Sequence, residues 1–173
     1  VILIYIVRAN DMIYRKQYME KLIKMKDKKF IKVVTGIRRC GKSTLLMMFS
    51  GYLKECGVEA DQIISVNFED VENEPLLDYK ILHETITKRL VPGKMTYVFL
   101  DEIQNVPQFQ KTVDSLFIKN NVDLYITGSN AQMLSGELAT LLSGRYIEVN
   151  MLPLSFAEYY EWVGGDKRDA WNG

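Results

Sequence analysis

The residues Gly36-Ile37-Arg38-Arg39-Cys40-Gly41-Lys42-Ser43 follow the spacing Gly, any four residues, Gly-Lys-Ser/Thr, which suits them to cradling phosphate groups. The glycines let backbone N–H groups converge on phosphate oxygens. Lys42 would neutralise β and γ phosphates, and the Ser43 hydroxyl is a hard ligand for Mg²⁺. At ordinary residue frequencies a chance match in such a chain is roughly a 1% event. The segment also follows a β-branched run and opens a helical one, so a helix N-terminus would add positive potential. Gly36 to Thr44 is therefore the candidate nucleotide-contacting segment, with Lys42 also catalytic. The alternative is a glycine-rich turn with a solvated lysine. Arg38 and Arg39 have two readings, contact with phosphate or a partner and plain solvation.

A second chemical signal is the apolar run Tyr97-Val98-Phe99-Leu100 ending in Asp101-Glu102. Beside a phosphate cradle, Asp101 would join Ser43 in holding Mg²⁺, and Glu102 would act as the base for a water attacking the γ phosphate. The alternative is that both merely cap the next helix. Thr127-Gly128-Ser129-Asn130 ends another strand with small polar groups, where open α/β sheets bind ligands. Ser129 or Asn130 would touch the γ phosphate or orient water, against a plain turn-and-cap role. Arg145 has three readings: a cation for its own nucleotide, for that of a neighbouring subunit, or a strand-end anchor. Cys40 lies among three cations, which favours a reactive thiolate; against this stands a small buried hydrophobe. His83 reads as structural.

These groups need a scaffold, and periodicity supplies one. Ile13, Tyr18, Leu22, Ile23 and Met25 predict an amphipathic helix, and Ile31, Val33 and Val34 a strand. The helix after the loop runs to Gly57, which stops it. Residues 63–68 predict a strand, Leu76 to Leu90 a helix with Pro75 near its start, and Tyr97–Leu100 a strand. A helix follows around Phe109–Phe117, then a strand at Leu124–Ile126. A leucine-rich helix closed by Gly144 precedes a last strand at Tyr146–Val149. Ser155 and Glu158 form a capping-box pattern before an aromatic helix. Strands alternating with helices predict an α/β fold with a parallel sheet covered on both faces.

The chain has 173 residues, 47% of them hydrophobic, and its 22 Lys+Arg balance 22 Asp+Glu. One core is expected, at 12–163, and no sequence-wide basic footprint for nucleic acid is present. Residues 1–11 are read as an upstream extension or an edge strand, and 164–173 as a disordered tail. Two cysteines without metal spacing suit a reducing, cytoplasmic setting. The apolar opening Val1–Val7 falls well short of the roughly 20 residues that span a bilayer. A lone histidine disfavours a zinc site or a His-based triad, and the absence of Asp-x-x-Gly and Asn-Lys-x-Asp patterns disfavours a GTPase.

Both motifs, the polar end of the fourth strand and Gly144-Arg145 before the fifth together resemble an AAA-type ATPase. The stretch from Val34 through Lys42 to Leu46, Leu100-Asp101-Glu102-Ile103-Gln104, Thr127-Gly128-Ser129 and Leu152-Pro153-Leu154-Ser155-Phe156 resemble, more closely, a prokaryotic subfamily of AAA ATPases that carry a C-terminal domain of unknown function. The likeness runs from about Ile13 to Trp162. It implies a three-layer sandwich with strand order 5-1-4-3-2, ATP and Mg²⁺ as ligands, Ser129 or Asn130 as first sensor, and Arg145 as an arginine finger, with a homo-oligomer in that case. It also implies a helical lid and the C-terminal domain, both expected beyond this chain. The leading expectation is ATP hydrolysis coupled to rearrangement of a larger protein or assembly. A nucleotide-dependent binding switch with little turnover is the first alternative. A helicase fragment is the second, because Asp101-Glu102-Ile103-Gln104 also resembles a helicase motif.

Overall fold

The computed structural model describes residues 13–129 and 144–162. Residues 1–11, Asn130, the leucine-rich segment before Gly144 and the tail 164–173 lie outside the described residues. Five strands form one parallel sheet: β1 (Ile31–Gly36), β2 (Ile63–Asn67), β3 (Thr96–Asp101), β4 (Val122–Gly128) and β5 (Tyr146–Met151). Their order is β2-β3-β4-β1-β5, which is the implied 5-1-4-3-2 order read from the other edge. β1, β3 and β4 are buried along their whole length, as central parallel strands covered on both faces must be. β2 and β5 each carry exposed positions because they lie at the edges.

The described helices are α1 (Lys16–Met25), α2 (Lys42–Glu55), α3 (Tyr79–Lys88), α4 (Phe109–Phe117) and α5 (Phe156–Trp162). Side chains alternate across the sheet, so each strand feeds two cores. Val98, Leu100, Leu124 and Ile126 pack with Leu82 and Ile86 of α3 and Val113 and Leu116 of α4. Tyr97, Phe99 and Tyr125 pack with Tyr18 and Leu22 of α1 and Leu45, Phe49 and Leu53 of α2. Rings of Phe49, Phe99 and Tyr125 meet at centroid distances of 5.0–6.2 Å, within the range of favourable tilted aromatic contacts.

Two helix starts differ from expectation. α3 begins at Tyr79 rather than Leu76, because the Asp78 carboxylate accepts from the N–H groups of Lys80 and Ile81 and so caps the helix there. Pro75 instead lies inside a 3₁₀ stretch, Val71–Leu77. α1 begins at Lys16 and leaves Ile13 outside it. The Ser155 capping box is present: the Glu158 N–H donates to Ser155 Oγ, and the Ser155 N–H donates to Glu158 Oε2. His83 joins α3 to α4 through a 2.8 Å hydrogen bond with Ser115.

One feature of the core has no counterpart in the apolar pattern. Lys32 of β1 is fully buried and pairs with the buried Asp123 of β4. The same carboxylate accepts from the Tyr125 hydroxyl at 2.9 Å and the Asp27 N–H at 2.9 Å. Asp27 in turn accepts from the Tyr97 hydroxyl at 2.7 Å. Burial, with Asp27 accepting its hydrogen bond, pushes the Tyr97 phenol up to about 12. This satisfied network fastens the turn between α1 and β1 to the end of the sheet remote from the Gly36 loop.

Candidate active site

β1 delivers its last residue, Gly36, to a loop that opens α2. Close approach requires glycine there: a Cβ would lie 2.6 Å from both the Cys40 Sγ and the Met151 carbonyl oxygen. Gly41 sits at the N-cap with φ 97°, a left-handed conformation that other residues adopt only at a cost. The N-terminus of α2 has neither a side-chain cap nor an acidic residue in its first turn, so its N–H groups and dipole suit an anion.

The loop's side chains divide between inside and outside. Cys40 turns inward, is 7% exposed and packs with Met151, whereas Cys56 is exposed. The reactive-thiol expectation for Cys40 is therefore corrected. The tight turn over Gly36 drives the sulfur into the core, where it packs as an apolar group. Ile37 and Ser43 are exposed. Arg38 is exposed and pairs with Glu69 at 3.3 Å, and Arg39 has φ 66°.

Lys42 is 4% exposed, and its Nζ lies 3.1 Å from Glu102 Oε1. It also donates to the carbonyls of Gly36 and Ile37 at 3.3 and 3.4 Å. The two sequence motifs thus meet directly. They do so because β4 stands between β1 and β3, and its polar end bridges them. Thr127 donates its hydroxyl hydrogen to Asp101 Oδ1 and accepts from the Glu102 N–H at 2.9 Å. Asp101 is itself buried. Glu102 has φ 55° and ψ 46°, a strained conformation for a non-glycine residue and one concentrated at functional sites. Gln104 Nε2 donates to Glu102 Oε2 at 2.5 Å.

Arg38, Lys42, Glu69, Glu102, Gln104 and Ser129 line one cleft of about 230 Å³. A second cavity, of about 160 Å³, lies against Gly41, Thr44 and Leu45 and is walled by Ile13, Arg15 and Met151. Arg15 is 7% exposed. It donates to the carbonyls of Cys40 and Leu152 and to both oxygens of Glu158, the latter at 3.0 Å. It thereby ties the loop between β1 and α2 to α5. Partial burial alone would raise the Glu158 carboxyl, but Arg15 and the Ser155 N–H and hydroxyl hold it below the usual carboxylate range.

Arg145 is not brought to this site. Register pairs Ile31 with Tyr146 and Gly36 with Met151, so Arg145 stands at the other end of the sheet, about 20 Å from Gly36 at about 3.3 Å per strand residue. Its side chain pairs with Asp114 of α4 at 3.3 Å, and its carbonyl accepts from the Ile31 N–H. These contacts belong to a strand anchor.

The chemistry of Ser43 and Asp101 would fit Mg²⁺. Among the described residues no group of three or more His, Cys, Asp or Glu could hold a metal alone. The chain offers one hydroxyl at Ser43 and one carboxylate at Asp101, a sparse hard-oxygen set suited to an ion that keeps waters and takes phosphate oxygens. No helix among the described residues is long and apolar enough to cross a membrane.

Residues 28–160 match a family model described as an AAA domain. An uncharacterized protein of Haemophilus influenzae is 46% identical over 152 residues, covering 87% of this chain and 38% of its own length. The chain thus spans under half of that relative. Among solved structures, a DNA polymerase III gamma subunit-related protein of Thermotoga maritima aligns with TM-score 0.60 at 13% identity, over 90% of this chain and 52% of its own. A Walker-type ATPase of Pyrococcus abyssi aligns with TM-score 0.56 at 19% identity, over 92% and 61%. At those identities the likeness shows a shared fold.

Proposed function

The chain belongs to the family of AAA domains, and on that premise we propose that it binds ATP with Mg²⁺ and hydrolyses it, coupling turnover to rearrangement of a larger protein. The observation that carries this reading is the 3.1 Å approach of Lys42, the cation of the phosphate loop, to Glu102, the strand-end carboxylate. A site that handles both a polyphosphate and a water molecule needs a cation and a carboxylate together, and the two sequence motifs supply them here.

The loop from Gly36 to Thr44 wraps the phosphates with backbone N–H groups, and the γ phosphate faces the cleft containing Glu102 and Ser129. The 160 Å³ cavity on the other flank of Gly41 suits the base and ribose, with Ile13 and Met151 supplying apolar contact. Ser43 and Asp101 would hold Mg²⁺, which would neutralise phosphate charge. Glu102 takes a proton from the attacking water. A phosphate at the loop competes with Glu102 for Lys42, so binding itself releases the base.

Coupling follows from Arg15. Any movement of the Cys40 carbonyl is relayed through its guanidinium to Leu152 and Glu158, at the start of α5. Arg145 takes no part in the chemistry of its own chain. A finger role toward a second copy requires opening of its Asp114 pair.

A switch with slow turnover is the second reading. It is favoured by Glu102, whose two oxygens are engaged by Lys42 and Gln104. Calorimetric titration with Mg-ATP tests binding: a saturable heat is expected for the wild type, weakened by chelating Mg²⁺ and lost in Lys42→Ala. An equal affinity in the variant would remove the phosphate-loop assignment.

A further inference from the structure

We infer that Gln104 is a positioning residue for hydrolysis, holding Glu102 by one oxygen so that the other is left to accept the proton of the attacking water; this rests on the ATPase reading above.

Three observations converge on it. First, Gln104 Nε2 donates to Glu102 Oε2 at 2.5 Å while Lys42 occupies Oε1. The carboxylate is gripped from two sides, but the two grips differ in kind. Lys42 is a cation that a γ phosphate draws away, whereas a neutral amide has no such competitor. When phosphate binds, Oε1 is released and Oε2 stays held. The freed oxygen is then the one presented to the cleft.

Second, the amide of Gln104 is oriented at its own expense. Its Oε1 is buried and has no hydrogen-bond partner among the described residues. Turning the amide over would oppose two oxygens across the Glu102 contact, so the carboxylate dictates the orientation and leaves the carbonyl unsatisfied. Buried acceptors without partners are rare, and each calls for a specific account of what satisfies it.

Third, Gln104 lines the same cleft as Lys42, Glu102 and Ser129, so the missing donor has a place from which to come. As Lys42 leaves and the Glu102–Gln104 pair turns toward the cleft, the attacking water can give one hydrogen to Glu102 Oε1 and the other to Gln104 Oε1. The water oxygen bonds to the γ phosphorus and the bond to the β,γ-bridging oxygen breaks. ADP leaves with the bridging oxygen and the electron pair of the broken bond. One water proton passes to Glu102 and then to solvent, and the other stays on the phosphate product.

Short-range geometry limits alternatives for Glu102's orientation. Its N–H is fixed by Thr127 and its backbone lies in the left-handed region, while its side chain meets Lys42 and Gln104.

The test compares wild type, Gln104→Met, which keeps the length and removes both polar groups, and Gln104→Glu, which keeps acceptors but loses the donor. Affinity for Mg-ADP, the KM and kcat for Mg-ATP, and capture of Mg-ADP-fluoroaluminate are measured, with thermal melting to check folding. Mg-ADP affinity is expected to stay within about twofold, while kcat and fluoroaluminate affinity each fall about 10- to 100-fold in both variants. Unchanged kcat and fluoroaluminate capture in a folded variant would overturn the inference alone. So would an equal loss of Mg-ADP affinity, which would mark Gln104 as a structural support for the loop. If Gln104→Met does not fold, Gln104→Glu decides by the same criteria. A wild type that neither hydrolyses ATP nor captures fluoroaluminate would overturn the ATPase reading, and this inference with it.

Discussion

Lys42 and Glu102 form an ion pair at 3.1 Å, with only 4% and 13% of their side-chain surface exposed, although Lys42 opens α2 and Glu102 follows β3. On the proposed reading phosphate must win Lys42 from Glu102, so the pair should oppose nucleotide binding. Glu102→Gln should therefore tighten Mg-ATP affinity about fivefold, the equivalent of about 1 kcal/mol for a partly screened pair. Calorimetry measures this directly. Weaker binding in Glu102→Gln would mean that the carboxylate helps to hold the nucleotide instead.

Arg15 carries the contacts that join the phosphate loop to α5. Arg15→Ala strips hydrogen bonds from Glu158 and from the Cys40 and Leu152 carbonyls and should destabilise the fold by about 2–4 kcal/mol. In scanning calorimetry that corresponds to a fall in Tm of roughly 5–15 °C. The effect should depend on pH with a defined sign. Glu158 is an acid whose folded-state pKa lies below its ordinary value of 4.5. Its contribution is thus complete above that value and lost as pH falls through the lowered one. The gap between wild type and Arg15→Ala should narrow in strong acid; a gap constant down to pH 2 would show that Glu158 is not its source.

The buried pair of Lys32 and Asp123 should behave as a unit. Asp123→Ala leaves an ammonium fully buried and should cost about 3–5 kcal/mol in urea denaturation. Adding Lys32→Met should recover part of that loss, because the stranded charge is gone. Recovery cannot be complete, since the Tyr125 hydroxyl and Asp27 N–H still lack their acceptor. Additive losses in the double variant would mean that the two side chains are not coupled.

Thiol labelling should find Cys56 reactive and Cys40 protected, because Cys56 is exposed and Cys40 is packed under the loop. Mass spectrometry of the alkylated protein separates the two rates. A Cys40 rate equal to that of Cys56 would contradict the inward turn of the sulfur.

Cys40 also shows where sequence reading stops. Its neighbours in the chain are cations, which leave a reactive thiolate and a small buried hydrophobe both open; the turn over Gly36, with Met151 from a distant strand, favours the second. Strands were legible because β-branched and aromatic runs alternate with helical periods, and their parallel arrangement follows from that alternation. Lys42 and Glu102 were legible as separate motifs, but their contact depends on β4 lying between their strands. Thr127 was visible only as part of a polar strand end, with nothing local to say that it touches both Asp101 and Glu102. Arg15 and Lys32 gave no signal, since Glu158 and Asp123 lie far along the chain. Gln104 stood within the carboxylate motif, yet its role depends on a side-chain contact.

In the proposed mechanism Lys42 binds the phosphates and Glu102 drives attack on them. Single-turnover hydrolysis of γ-labelled Mg-ATP, with protein in excess over nucleotide, separates these roles most directly. Wild type should release labelled phosphate, Glu102→Gln should bind the nucleotide yet release phosphate at least about 100-fold more slowly, and Lys42→Ala should fail to bind. Release at the wild-type rate by Glu102→Gln, or binding by Lys42→Ala as tight as that of the wild type, would contradict the account.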